Sequence, residues 1–198
     1  MDSIKEQIAH FENYIAFRKK AEAGKIKLPD ANLHMLFTGN AGTGKTMIAR
    51  MISTMLYEIG FLPEDKLVEV ERKDLVANYL GQTAGKTAGK IQDAIGGVLF
   101  IDEAYTLAGD QYGEEAIATL LKAMEDHRND LVVIFAGYSD KMQKFIDTNP
   151  GLSSRIGYKF HFDDYSYDEL MKMLELKISS SGITVTDAAR ERAGLVVK

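Results

Sequence analysis

The chain has 198 residues, with 24 basic and 29 acidic side chains, a net charge of −5 and no cysteine. That composition excludes disulfides, thiol catalysis and cysteine-ligated zinc. It shows no basic patch of the kind a duplex-binding module carries, so nucleic acid is disfavoured as a partner.

A chain of this length forms one domain or slightly more and buries roughly 70% of its unfolded surface. The N-terminal segment MDSIKEQIAHFENY is acidic and has no long apolar run, unlike a secretory leader. Nowhere do about 18 uncharged apolar residues run together, so no membrane insertion is expected and the expected compartment is the cytoplasm.

Ile4, Ile8, Phe11 and Ile15 recur at helical spacing. Residues 19–29 are polar, contain Gly24 and read as a linker. Residues 33–38 (LHMLFT) form a short apolar run ending at Gly39, a buried strand. Met47, Ile48, Met51, Ile52, Met55 and Ile59 lay a stripe along a helix that stops at Gly60. Residues 67–70 read as a second strand, and residues 98–101, entered through Gly96 and Gly97, as a third.

Ile117, Leu120, Leu121 and Met124 mark another helix, residues 131–136 (LVVIFA) a fourth strand and residues 158–162 a fifth. Near-continuous apolar strands suit a parallel sheet covered on both faces. Their alternation with helices predicts a doubly wound α/β fold. Ser166 and Glu169 make a capping box before Leu170, Met173 and Leu174. The expected organisation is therefore an α/β nucleotide-binding core over residues 1–163 and the start of a helical lid over 164–198. Thr186 is read as the cap of one more helix.

Gly39-Asn40-Ala41-Gly42-Thr43-Gly44-Lys45-Thr46 fits G-x-x-x-x-G-K-[ST], with a strand before it and an amphipathic helix after it. Glycines let such a loop curl with its N–H groups inward, and those donors with the helix N-terminus hold phosphate oxygens. Lys45 should reach the β- and γ-phosphates and Thr46 should place its hydroxyl on Mg2+. A Gly-rich turn that merely caps a helix is the alternative, and the strand-loop-helix context is what favours the phosphate-binding reading.

The third strand ends in Asp102 and Glu103. In this fold, ligands sit at the carboxyl ends of the strands. Asp102 is expected to hold Mg2+, and Glu103 to polarise the attacking water as general base or positioning group. An acidic pair after a strand is often only a solvated turn; the phosphate loop upstream is what favours the catalytic reading.

The strings LHMLFTGNAGTGKT, GGVLFIDEAY, YGEEAIATLLKAMEDHRNDLVVIFAGY and NPGLSSRI resemble the CbxX/CfxQ family of AAA+ ATPases, and they span most of the chain. The resemblance implies a P-loop NTPase core with a five-stranded parallel sheet, flanking helices and a partial lid. It implies ATP and Mg2+ as cofactors, bound at subunit interfaces of a self-associated ring, a hexamer in the full-length protein. It also implies chaperone-like mechanical work on a protein client.

By the same resemblance, Tyr79-Leu80-Gly81 matches an aromatic-hydrophobic-glycine pore loop, and Arg155 in Leu152-Ser153-Ser154-Arg155 matches an arginine finger acting on the next subunit's γ-phosphate. The polar sensor position reads Gly137-Tyr138-Ser139. There, either Tyr138 or Ser139 is in place to orient water, and Ser139 is equally a cap for a helix beginning at Asp140. The lid arginine of the family, its second sensor, has no counterpart before Lys198; Arg190 and Arg192 read as a solvated helix face. The expectation is thus a trimmed core, truncated within the lid, with weak nucleotide affinity and little assembly on its own.

Other readings fit less well. A nucleotide-gated switch or scaffold with little turnover is the alternative: Glu103 argues for turnover, and the missing lid argues for the switch. A small-molecule kinase would need an Arg-rich lid. A GTPase would need N-K-x-D, which is absent; Asp110-Gln111-Tyr112-Gly113 fits D-x-x-G by coincidence. A clamp-loader-like protein shares the Ser-Arg finger, but the acidic balance disfavours DNA. His10, His34, His127 and His161 lack ligand spacing, and His34 reads as a strand residue.

Overall fold

The structure, a computed structural model, describes residues 2–26, 28, 32–79, 81–181 and 186. The strands are β1 (His34–Gly39), β2 (Leu67–Val70), β3 (Val98–Ile101), β4 (Val132–Gly137) and β5 (Ile156–Phe162). They form one parallel sheet in the order β2-β3-β4-β1-β5. This is the five-stranded parallel sheet the apolar runs predicted.

Side chains alternate across a strand, and here the alternation divides the interior into two cores. On β4, Val133 and Phe135 enter one core, while Val132, Ile134 and Ala136 enter the other. On β3, Leu99 and Ile101 part in the same way from Val98 and Phe100. The helices α1 (Asp2–Ala23) and α2 (Lys45–Glu58) supply the core that holds Phe11, Ile15, Ile52 and Leu56. The other is filled from α4 (Thr83–Ala94), α5 (Gln111–Asp126) and α6 (Ser139–Asp147), through Ile91, Leu120 and Phe145. Fully burying each such large side chain stabilises the fold by about 1.5–3 kcal/mol.

Four elements differ from the sequence reading. The segment read as a linker over 19–29 is helical through Ala23, because Ala21 is buried and continues the stripe from Ile4, Phe11 and Ile15. The short helix α3 (Arg72–Leu75) and the whole of α4 carry too few large apolar residues to show a stripe. In α4 the buried face is Thr83, Thr87, Ile91 and Ala94, and the Thr87 hydroxyl donates to the Leu75 carbonyl at 3.0 Å. The helix α7 (Pro150–Arg155) opens on a proline, which suits a first helical position.

The chain divides into two compact units, Met1–Phe162 and Asp163–Lys198. In the second, α8 (Tyr167–Ser180) begins with a reciprocal cap. Glu169 N–H donates to the Ser166 hydroxyl at 3.3 Å, and the Glu169 carboxylate accepts from Ser166 N–H at 2.9 Å. Residues 187–198, with Arg190 and Arg192, lie outside the described residues.

His34 does more than extend a strand. It is 2% exposed, its Nδ1 accepts the Val133 N–H at 3.1 Å, and its Nε2 lies 3.1 Å from the Met124 carbonyl. The neutral Nε2–H tautomer satisfies both contacts. Burial holds the ring's pKa below its ordinary 6.5, and Arg155 adds to the effect.

A histidine with a lowered folded pKa binds its proton more readily in the unfolded chain. Its contribution to stability is therefore complete above the unfolded pKa and is lost as pH falls through the folded one. Thermal melts should show stability declining as pH falls below about 6.5, the ordinary histidine value, with a shallower decline in His34→Asn. Identical slopes would show that His34 is not the group responsible.

Candidate nucleotide site

β1 ends at Gly39, beside the last residues of β4 and β5. A side chain at Gly39 would lie 2.4 Å from the Phe162 carbonyl oxygen, so the loop can leave the sheet only through a glycine. Gly42 and Gly44 have φ of 79° and 93°, in the left-handed region, and Gly44 caps α2. The Thr43 hydroxyl donates to the Asn40 carbonyl at 2.8 Å and braces the curl.

Among the described residues, the N–H groups of Gly42, Gly44, Lys45 and Thr46 donate to no protein acceptor. A helix start with unsatisfied donors and a positive dipole end is a site for a phosphate chain. Lys45 Nζ donates to the carbonyls of Gly39 at 2.9 Å and Asn40 at 2.6 Å, at the mouth of the same loop. Burial lowers its pKa, while Asp102 and Glu103 act to raise it.

β3 lies one strand away from β1, across β4, and ends in the acidic pair. Asp102 Oδ1 accepts the Glu103 N–H at 2.9 Å. Asp102 and Thr46 line one cleft of about 260 Å³, which Glu69, Glu71 and Asp74 border. Among the described residues, no three His, Asp or Glu side chains converge to form a closed metal site. One hydroxyl and one carboxylate fit a hydrated Mg2+ that takes its other ligands from phosphate oxygens and water.

Glu103 has φ 50° and ψ 39°. A non-glycine residue in that conformation carries about 1–3 kcal/mol of strain, which points to a functional constraint. Glu103 borders a second cleft of about 720 Å³ with Arg72, Thr106 and Tyr112. Burial, then the neighbouring Asp102, pushes its pKa up; Lys141 and Lys45 oppose the shift. The loop lysine and both carboxylates thus share one electrostatic field.

Tyr138 takes the cap position of α6 in an extended conformation and Ser139 is the helix's first residue. This corrects the reading of Ser139 as a cap before Asp140. What stands beside Glu103 was not expected. Lys141 lies 4.5 Å from the Tyr105 ring centroid and 5.0 Å from that of Tyr138, and donates to the Tyr105 hydroxyl at 3.2 Å. Gly137 makes room for this, since a side chain there would sit 2.8 Å from Tyr105. In the sequence, Lys141 looks like any exposed helix lysine; only the adjacency of β4 and β3 brings it to Glu103.

The remaining candidates lie apart from the loop. Arg155 ends α7, just before β5 begins opposite His34. It therefore stands at the edge of the sheet where β1 starts, and the phosphate loop stands where β1 ends. Six residues of strand separate the two by about 20 Å, more than a side chain spans. Arg155 donates to the Gly151 carbonyl at 3.2 Å and pairs with Glu125 at 3.5 Å. Tyr79 is 70% exposed between α3 and α4, Gly81 has φ 77°, and Leu80 lies outside the described residues. Asp110 caps α5 by accepting the Gly113 N–H at 2.9 Å, which accounts for the D-x-x-G spacing. No described helix is long and apolar enough to cross a membrane.

Comparison with known proteins agrees with this geometry. The profile of the "ATPase family associated with various cellular activities (AAA)" matches residues 35–164. The chain is 47% identical over 163 residues to the chromosomal protein CbxX of Cupriavidus necator, a match covering 80% of this chain and 51% of that one. It is 43% identical over 181 residues to stage V sporulation protein K of Bacillus subtilis, covering 90% and 56%. It is 43% identical over 194 residues to the ESX-1 secretion system protein EccA1 of Mycobacterium tuberculosis, covering 95% and 34%.

The chain therefore spans about half the length, or less, of these curated relatives. Among solved structures, RuvB of Thermotoga maritima superposes with a TM-score of 0.68 at 20% identity, over 98% of this chain and 55% of that one. The FIGL-1 AAA domain in complex with ADP gives 0.63 at 16% identity, over 90% and 59%. At those identities the likeness speaks for the fold. With the family profile matched over most of the core and relatives of this kind, the chain belongs to the AAA ATPase family and is of the CbxX/CfxQ type.

Proposed function

We propose that this chain is the Mg2+-dependent ATP-hydrolysing core of a ring-forming machine that remodels a protein client. The observation that carries the proposal is the division of the site. The phosphate loop and the acidic pair share one edge of the sheet, and Arg155 stands at the other. A guanidinium placed there reaches a γ-phosphate only on another copy of the chain, so self-association is part of the reading.

In this account the loop N–H groups and Lys45 hold the β- and γ-phosphates, with Lys45 exchanging its carbonyl partners for phosphate oxygens. Thr46 and Asp102 hold Mg2+, which supplies charge neutralisation at those oxygens. Glu103 orients the attacking water and accepts its proton, a task its raised pKa favours. Arg155 of a neighbouring copy steadies the charge that develops as the phosphoryl group leaves. Tyr79 offers an exposed ring that can grip an extended polypeptide without reading its sequence. A cytoplasmic setting belongs to the same reading.

Phosphate release and nucleotide binding, measured in parallel, test this reading. Chelating Mg2+ should abolish release, and Lys45→Ala should weaken ATP binding about 10–100-fold, as expected for losing a charge-assisted contact. Release that survives both changes would disprove it. Tight binding with no release in the parent chain would favour a nucleotide-gated switch instead.

A further inference from the structure

Glu103 is held in its left-handed conformation by a relay of contacts. The N–H and the hydroxyl of Thr106 both donate to the Glu103 carbonyl, at 2.8 and 2.7 Å. The Thr106 carbonyl in turn accepts from Arg72 Nη1 at 2.5 Å. The other arm of the same guanidinium, Nη2, reaches Asp110 Oδ2 at 2.6 Å. Asp110 spends its second oxygen on the cap of α5.

The enclosure is tight. A side chain at Gly113 would lie 1.8 Å from the Leu107 carbonyl oxygen and 3.0 Å from Arg72 Nη1. Arg72 comes to this place because Val70 pairs with Ile101, so that the residues following β2 run beside those following β3.

A partly exposed ion pair by itself stabilises little. The contact with Thr106 is of another kind, because it joins the guanidinium to the backbone of the turn. A planar fork makes both contacts at once, which a lysine ammonium cannot do in the same geometry. Strained conformations persist only where the surroundings over-determine them, and this relay, together with the Asp102 carboxylate on the Glu103 N–H, holds the turn at Glu103.

We propose that Arg72 is a positioning residue for hydrolysis, whose forked grip on the Thr106 carbonyl and Asp110 fixes the turn that aims Glu103. The proposal rests on the role given to Glu103 above. In this proposal Arg72 acts through the turn and not on the reacting atoms.

The test measures the maximal rate of phosphate release, and separately the ATP dissociation constant. The chains compared are the parent, Arg72→Gln, Arg72→Lys, Glu103→Gln and the double variant Arg72→Gln/Glu103→Gln. Arg72→Gln should lower the maximal rate about tenfold or more, the scale of a small misplacement of a reacting group, with the dissociation constant changed by less than about threefold. Arg72→Lys should recover part of the rate. In the Glu103→Gln background, Arg72→Gln should cost nothing further.

An unchanged rate in Arg72→Gln, or an equal extra loss in the Glu103→Gln background, would overturn the proposal. If Arg72→Gln does not fold, Asp110→Asn retains the helix cap and removes the charged partner of the fork. It should lower the rate in the same direction, and an unchanged rate there overturns the proposal too. A parent no faster than Glu103→Gln would remove the role of Glu103 and the proposal with it. A parent faster than Glu103→Gln but equal to Arg72→Gln would remove the proposal alone.

Discussion

Arg155→Ala should lower ATP hydrolysis by about 10³-fold or more, while ATP binding to the same chain stays near the parent value. The expectation follows from where Arg155 stands. Its partners in the chain are the Gly151 carbonyl and Glu125, and its side chain is about one-third exposed. Removing it costs its own fold little, about 0–1 kcal/mol for a pair of this exposure. An arginine delivered to the γ-phosphate is worth about 10³–10⁵ in rate. The two magnitudes separate the readings cleanly. A residue that only steadies the end of α7 would lower the melting temperature slightly and leave hydrolysis alone. An arginine finger does the opposite, and its effect should appear only at protein concentrations where the parent's specific activity rises above that of the dilute chain.

Glu103→Gln should lower the maximal rate by about 10²–10⁴-fold and leave ATP bound, the range lost with a positioned base. Gln is close to Glu in size, so the turn and its Thr106 contacts survive. What is lost is the ability to take a proton from water. Release within about threefold of the parent would show that Glu103 is not the base. Loss of ATP binding would show that its charge matters to the ground state instead.

Strands β2 and β3 lie where their apolar runs put them, at residues 67–70 and 98–101. Their side chains are bulky and their flanking residues polar or glycine, so little competes with the assignment. α4 was not legible for a physical reason. Its repeat TAGKTAGK buries threonines, whose hydroxyls find backbone partners, and no apolar stripe forms. The phosphate-loop and acidic-pair motifs were legible because each is written in consecutive residues.

Arg72, Tyr105 and Lys141 were not, because nothing local marks them. Arg72 reaches the turn after Glu103 through the pairing of β2 with β3. Lys141 reaches it because β4 lies beside β3. Strand order decides both, and a single sequence does not display strand order. The histidine on β1 was visible as a strand residue, but its paired contacts to Val133 and Met124 depend on α5 ending beside β4.

In the proposed ring, one copy's phosphate loop works with another copy's arginine. Mixing two defective chains tests it most directly: Lys45→Ala, which keeps Arg155 but has a damaged loop, and Arg155→Ala, which keeps the loop but has no finger. Phosphate release would be followed as the two are combined at a total concentration where the parent is active. The mixture should release phosphate well above the sum of the two chains alone, because some neighbours then pair an intact loop with an intact Arg155. A mixture no faster than that sum, beside an active parent, would contradict a site shared between copies.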